Sequence, residues 1–263
     1  LTTMSNRVFQ PRGLEALREA MSSGSSGISG TGKEKLVFAA GCTDLMIRMR
    51  ANPPEEIVII DLSKMDDLKT CVLEDEGLRI GAMCTMTALS ESPVVRQHAG
   101  ILACAASKVG STQIRNRATI GGNVANAAQC ADTIPALIAL EAQVELMDST
   151  GALRRLPAEA FVTGIGRTRL GEDEIVTGFI IPPQHLGLPG GYCKIGSREA
   201  VTIAKINCAG IFQFGEDGVN SARIAFGSLG QRGFFSEYVS SGMTGMSYEK
   251  LHQSAYLELF EKQ

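Results

Sequence analysis

The stretch Gln113-Ile114-Arg115-Asn116-Arg117-Ala118-Thr119-Ile120-Gly121-Gly122-Asn123-Val124-Ala125-Asn126 decides how the rest of the chain is read. Its paired glycines allow backbone angles and close approaches that a Cβ would block. Successive amides in such a turn can form a concave nest for phosphate. The apolar run from Ala131 to Leu140 follows directly and predicts a buried helix. Asp132 at its start is either the N-cap, with Pro135 in the first turn where its missing N–H costs nothing, or a hydrogen-bond partner for a ligand hydroxyl. Far upstream, Leu36-Val37-Phe38-Ala39-Ala40 reads as a short buried strand, Gly41-Cys42 as a turn, and Thr43 to Arg50 as a helix. Thr43 is suited to the N-cap and Asp44 to the positive end of that helix. Two amide-rich turns can hold one pyrophosphate from opposite sides.

The composition narrows the class. A chain of 263 residues, 44% hydrophobic and 20% charged, has enough material for one large domain or two smaller ones. Its net charge of −3 argues against a nucleic-acid surface, which requires a basic footprint. No apolar run approaches the ~20 residues of a membrane-spanning helix, and Leu1-Thr2-Thr3-Met4 shows no secretory pattern. The seven cysteines are scattered without a C-x-x-C pair, which excludes the common local zinc and iron–sulfur spacings. They read as reduced, mostly buried thiols of a cytoplasmic protein.

The remaining chain alternates helix and strand signals. Pro11–Met21 predicts an amphipathic helix and Ser22–Gly32 a flexible loop. Ile57–Asp61 predicts a strand covered on both faces; Val72–Leu73 and Leu78–Ala82 predict a hairpin. Thr85 caps a short helix, and Pro93–Val109 reads as one longer helix. A second hairpin pairs Gln143–Asp148 with Ala152–Leu156, and Glu174–Ile181 forms a strand ended by Pro182-Pro183. Beyond a junction near His185–Pro189 come three antiparallel strands, Tyr192–Arg198, Ile203–Phe214 and Val219–Leu229, and a final helix from Ser247 through Lys262. The junction divides the chain into expected domains 1–184 and 185–263.

The chemical inventory is that of a cofactor carrier. His98, His185 and His252 stand in unrelated contexts, and no nucleophile elbow, zinc helix or Walker lysine is present. The carboxylates read as solvated surface. Such a chain supplies position and electrostatics to a borrowed reactive group, and neither glycine turn has Rossmann spacing.

The block at 113–123, together with Ala131-Asp132-Thr133-Ile134-Pro135-Ala136-Leu137, resembles the FAD-binding subunit of the molybdenum hydroxylases, the family of xanthine and carbon monoxide dehydrogenases. Ala40-Gly41-Cys42-Thr43-Asp44-Leu45, Leu78–Ala82 and Tyr192-x-Lys194-x4-Arg198 resemble further family segments in the same order. The resemblance implies an α+β, two-subdomain FAD-binding fold of the PCMH/vanillyl-alcohol-oxidase type (subdomains about 1–61 and 62–184), followed by a small three-stranded antiparallel α+β domain. It implies cofactor contacts from Leu36, Val37, Ala39, Ala40, Gly41, Cys42, Thr43, Asp44 and Leu45, and from Ala118, Thr119, Gly121, Gly122, Asn123 and Asn126. Backbone N–H groups of both turns would surround the pyrophosphate. Asp132 would hydrogen-bond the cofactor, Val176 would lie against the flavin, and Lys194 would favour its anionic reduced form. No residue of this chain binds metal: molybdopterin is expected in a large partner subunit and 2Fe-2S clusters in a small one, with NAD or another acceptor taking the electrons. A purine such as xanthine is the expected substrate of the complex.

Departures from the family pattern are Cys42 for a second glycine, Val109 for a stacking aromatic, Thr202 for an acid, and a span between Gly230 and Ser247 too short for the usual helices. A stand-alone flavin reductase would carry its own proton donor and a basic substrate domain. A non-catalytic nucleotide-binding module would show no flavin spectrum.

Overall fold

The computed structural model describes residues 7–25, 35–54, 57–253 and 256–257. The first unit is a small parallel sheet in the order β1-β3-β2. Its strands are β1 (Arg7–Phe9), β2 (Lys35–Ala39) and β3 (Ile57–Asp61), with helices α1 (Leu14–Ser25) and α2 (Leu45–Ala51) between them. Leu17 and Met21 of α1 are fully buried with Ile60 and Met65, as their helical spacing dictates. The helix runs on through Ser22–Ser25, where a loop was expected. The rest of that expected loop, the reading of Leu1–Met4 and the final helix beyond residue 253 lie outside the described residues, apart from 256–257.

The second unit is a five-stranded antiparallel sheet in the order β4-β5-β10-β6-β7. Its strands are β4 (Cys71–Glu74), β5 (Gly77–Gly81), β6 (Gln143–Asp148), β7 (Leu153–Pro157) and β10 (Glu174–Ile181). Between β5 and β6 run helices α3 (Met86–Glu91), α4 (Pro93–His98), α5 (Gly100–Ser107), α6 (Thr112–Arg115), α7 (Ile120–Asn126) and α8 (Thr133–Ala139); α9 (Ala158–Phe161) and the short pair β8 (Val162–Gly164) and β9 (Arg167–Thr168) follow β7. The one long helix expected over Pro93–Val109 is two, because Ala99 leaves helical angles at φ −142°, ψ 51°. The break lets α5 turn its small face, Ala103, Ala105 and Ala106, into the main core beside Ala136 and Ala139 of α8. Small side chains permit that close approach. A register shift in β10 between Val176 and Gly178 sets Val176 at a bulge.

The third unit is antiparallel and has four strands where three were expected: β11 (Gly190–Ile195), β12 (Ile206–Phe214), β13 (Val219–Gly227) and β14 (Phe234–Phe235). One face covers α5 and α8, and the other packs α10 (Glu237–Met243) through Val239 and Met243. A last helix, α11 (Tyr248–His252), is capped by Ser247. The span between Gly230 and Ser247 holds one short helix, α10, capped by Ser236. The cysteines are all free, but Cys84 alone is buried; Cys42, Cys71, Cys104, Cys130 and Cys208 are half-buried and Cys193 is exposed. Among the described residues no helix is long and apolar enough to cross a membrane, and no His/Cys/Asp/Glu group could hold a metal ion.

Candidate functional site

The two glycine turns meet. A Cβ built on Gly41 would lie 2.1 Å from the carbonyl oxygen of Arg117 and 3.0 Å from the Cα of Ala118. Only a residue without a side chain lets the first turn seat its backbone directly on the second. The cleft between them is lined by Phe38 and Ala40 through Leu45 on one side, and by Ala118, Thr119, Gly122, Asn123, Ala125 and Asn126 on the other. Leu36 and Val37, further back on β2, are half-buried and do not line it.

The turns differ in what they offer. The backbone N–H groups of Gly41, Cys42, Thr43, Asp44 and Leu45 have no acceptor among the described residues, which is the donor array an anion needs. Cys42 takes φ +60° in the middle of it, so the turn keeps its left-handed residue without glycine. The left-handed region costs an L-residue about 1–2 kcal/mol. Cys42→Gly is accordingly expected to raise stability by about 1 kcal/mol, net of glycine's extra chain entropy, as read from urea unfolding. Burial, and secondarily the Asp61 carboxylate, hold the Cys42 thiol above its usual range. It therefore stays neutral beside an anion at pH 7. Thr43 does not cap α2; Asp44 occupies that position without a side-chain cap bond. Its carboxylate instead pairs with Arg48 at 3.0 Å, and Arg48 also donates to the Asn126 side-chain oxygen at 2.6 Å.

In the second turn, the expectation of free amides is corrected. Ile120 N–H donates to Cys84 O, Gly121 N–H to Ala82 O, Asn123 N–H to Thr119 O, and Gly122 N–H to Thr119 Oγ1. Thr119 is the N-cap of α7, so the Gly-Gly pair is the first turn of a helix. Gly121 is required because a Cβ there would strike Ala82, 2.7 Å from its Cβ and 2.8 Å from its oxygen. Gly122 is different: a Cβ would meet Thr119 Oγ1 at 3.0 Å and then the Ala40 methyl at 3.9 Å, across the cleft. This turn offers a bare backbone face and side-chain amides. Thr133 Oγ1 donates to Asn123 Oδ1 at 2.6 Å, which fixes that side chain and leaves its NH2 without an acceptor among the described residues.

An apolar recess continues from the cleft, walled by Phe38, Leu62, Met83, Ile175 and Val176, and floored by Gly121 and Gly122. Asp132 and Lys194, each expected to address a cofactor, are paired with each other. Lys194 Nζ lies 2.7 Å from Asp132 Oδ2, with both side chains 7% exposed. Tyr192 donates its hydroxyl to Asp132 Oδ1 at 2.9 Å and Asn207 adds a 3.3 Å bond, while Lys194 also donates to Lys108 O. Burial first, and then the Asp132 charge, push the Tyr192 phenol upward, so it remains a donor. Asp132 makes no cap bond to α8. Its partners come from β11 and β12, a pairing that no local spacing could reveal. A second cleft beside this knot lies between residues 107–115 and 192–202. Its outer loop is closed by Arg198 donating to Val201 O and by Thr202 Oγ1 accepting from Ser197 N–H. Val109 is buried in the main core.

Buried carboxylates were not expected, yet Glu145 is 1% exposed, held by Arg79, by Arg155 at 3.0 Å and by Thr177. Its place in the apolar run Val144-Glu145-Leu146 was the available signal.

Residues 4–184 match the family model described as the FAD binding domain in molybdopterin dehydrogenase. The xanthine dehydrogenase FAD-binding subunit of Escherichia coli O157:H7 is 34% identical over 192 residues, which cover 72% of this chain and 65% of that relative. The carbon monoxide dehydrogenase medium chain of Hydrogenophaga pseudoflava is 30% identical over 220 residues, covering 83% and 75% of the two chains. The chain thus spans about two thirds of the first of these relatives (65%). Among solved structures, carbon monoxide dehydrogenase from Hydrogenophaga pseudoflava superposes with a TM-score of 0.84 at 24% identity, over 98% of this chain and 87% of that one. Quinoline 2-oxidoreductase from Pseudomonas putida 86 gives 0.84 at 20%, over 98% and 86%. These likenesses establish a shared α+β fold.

Proposed function

The chain belongs to the family of FAD-binding domains of the molybdopterin dehydrogenases, and from that premise we propose that it holds one FAD and serves as the electron-transfer subunit of a molybdenum hydroxylase. The observation that carries the reading is the seat of Gly41 on Arg117–Ala118, which sets the amides of 41–45, without acceptors among the described residues, opposite the bare face of Gly122. A Cβ at Gly122 would begin to fill that space, and the donor set suits a diphosphate.

The amides of Gly41 to Leu45 would hold the phosphates, with the Asn123 NH2 as a donor from the facing turn. Thr133 and Thr119 keep that facing turn in place. The Asp44–Arg48 pair at the rim is internally neutral and adds little net field. The recess at Phe38, Met83 and Val176 would exclude water from an apolar ring system. Bound there, FAD would accept electrons singly from an iron–sulfur partner and pass them on as a pair to NAD, or to another acceptor. The proposed partners are a small subunit carrying 2Fe-2S clusters and a large subunit carrying molybdopterin. For the complex we propose a purine such as xanthine as substrate: a relative sharing 34% identity over 192 residues bears that name, while a nicotinate dehydrogenase FAD-subunit shares 34% over 170, and oxidation would occur in a partner chain.

The test is reconstitution. Purified chain incubated with FAD is expected to retain about one flavin per chain through gel filtration, with its visible absorption bands. Protein that elutes colourless defeats the reading. Molybdenum and iron should arrive only with co-purified partner chains, and metal carried by this chain alone would contradict the division of labour.

A further inference from the structure

The thiols of Cys71 and Cys84 face each other with sulfurs 3.5 Å apart. Cys71 lies on the edge strand β4 and is partly accessible, whereas Cys84 is 1% exposed. They belong to different segments, brought together because the chain leaving β5 folds back after Gly81 and Cys84 Sγ reaches the Thr70 carbonyl. The second segment also supports the cleft: Ala82 O and Cys84 O accept the amides of Gly121 and Ile120, at 2.8 and 3.0 Å. We propose that Cys71 and Cys84 form a peroxide-sensitive dithiol whose closure to a disulfide loosens the Gly121–Gly122 turn.

The chemistry balances with hydrogen peroxide as the oxidant. Cys71 as thiolate attacks one peroxide oxygen; the O–O bond breaks and the sulfur becomes a sulfenic acid, with water leaving after protonation. Cys84 sulfur then attacks the Cys71 sulfur, the S–O bond breaks, and a second water leaves with the Cys84 proton. In sum, two thiols and one peroxide give one disulfide and two waters. Cys71 is the attacking thiol on two counts: it is the more accessible, and a hydrogen bond from Cys84 pulls its pKa down while Cys84 is pushed up. A disulfide needs sulfurs about 2.05 Å apart, so the two sulfurs must approach by roughly 1.5 Å from the present 3.5 Å. The part of that approach made by Cys84 is carried through Ala82–Cys84 to the amides of Gly121 and Ile120 bonded to them.

The coupling to the cleft rests on the FAD reading; the dithiol does not. Full-length chain loaded with FAD would be treated with a small excess of hydrogen peroxide and digested without reduction. The expected result is a linked peptide pair joining Cys71 to Cys84, reversed by dithiothreitol, and FAD release about 10-fold faster in the oxidised protein. Cys71→Ser should lose both the link and the accelerated release, and Cys84→Ala should instead leave a Cys71 sulfenic acid trapped by dimedone. Cys71 and Cys84 remaining alkylatable while other thiols oxidise would overturn the dithiol. A link formed with FAD release unchanged would overturn the coupling. If the chain retains no FAD at all, the functional reading fails, and the peptide map alone decides the dithiol.

Discussion

Gly122→Val is expected to weaken FAD retention by about 100-fold or more, roughly 3 kcal/mol, while the chain stays folded. The reason is the direction in which the new atoms point. The β-carbon would be 3.0 Å from Thr119 Oγ1 and 3.9 Å from the Ala40 methyl, so the branch extends across the cleft toward the first turn. Gly122 has no positive φ and lies within the first turn of α7, where valine costs the helix no more than glycine does. Neighbouring glycines provide the contrast. At Gly121 a Cβ strikes Ala82, and at Gly41 it strikes the Arg117 carbonyl at 2.1 Å, so alanine at either position should lower stability itself, by about 1–3 kcal/mol or more. Circular dichroism and urea unfolding beside flavin titration separate the two effects. Gly122→Val protein that binds FAD as tightly as the parent would show that this cleft does not carry the diphosphate.

The contrast also shows what the chain states locally and what it conceals. Ile57–Asp61 and Glu174–Ile181 were legible as strands because apolar runs of that length between turn residues have few other uses. Thr85, Ser247 and the turn at 74–77 follow the same local logic. The Gly-Gly pair was legible as a place of close approach, but what approaches was not: Ala82 lies nearly 40 positions away, and its carbonyl takes the amide expected to be free. Cys42 reads as a flaw in a glycine turn until its φ of +60° shows that the turn keeps its shape. β1 is too short for any period to show, and its three residues pair with β3 across some 50 positions. The Asp132 knot was hidden for the same reason, since Tyr192, Lys194 and Asn207 reach it from a separate sheet.

That knot yields the largest expected loss of stability. Lys194→Ala should cost about 3–5 kcal/mol, because it leaves the Asp132 carboxylate buried with hydrogen bonds but no cation. Asp132→Ala should cost a similar amount, leaving the ammonium with the Lys108 carbonyl as its remaining bond. Asp132→Asn combined with Lys194→Met removes both charges at nearly constant volume and should recover most of the loss, so the cycle has a large coupling energy. The chain has no tryptophan; unfolding is best followed by circular dichroism. The damage should be felt in the third unit, because the pair pins β11 to the start of α8 and to Lys108 after α5. A free lysine tuning a flavin would behave in the opposite way, with stability unchanged and the flavin reduction potential displaced. Lys194→Ala protein that unfolds at the parent's urea concentration but shows a shifted potential would therefore refute the ion-pair assignment. A large loss of stability, rescued by the double substitution, would show that Lys194 is the fastening between the cofactor domain and the sheet behind it.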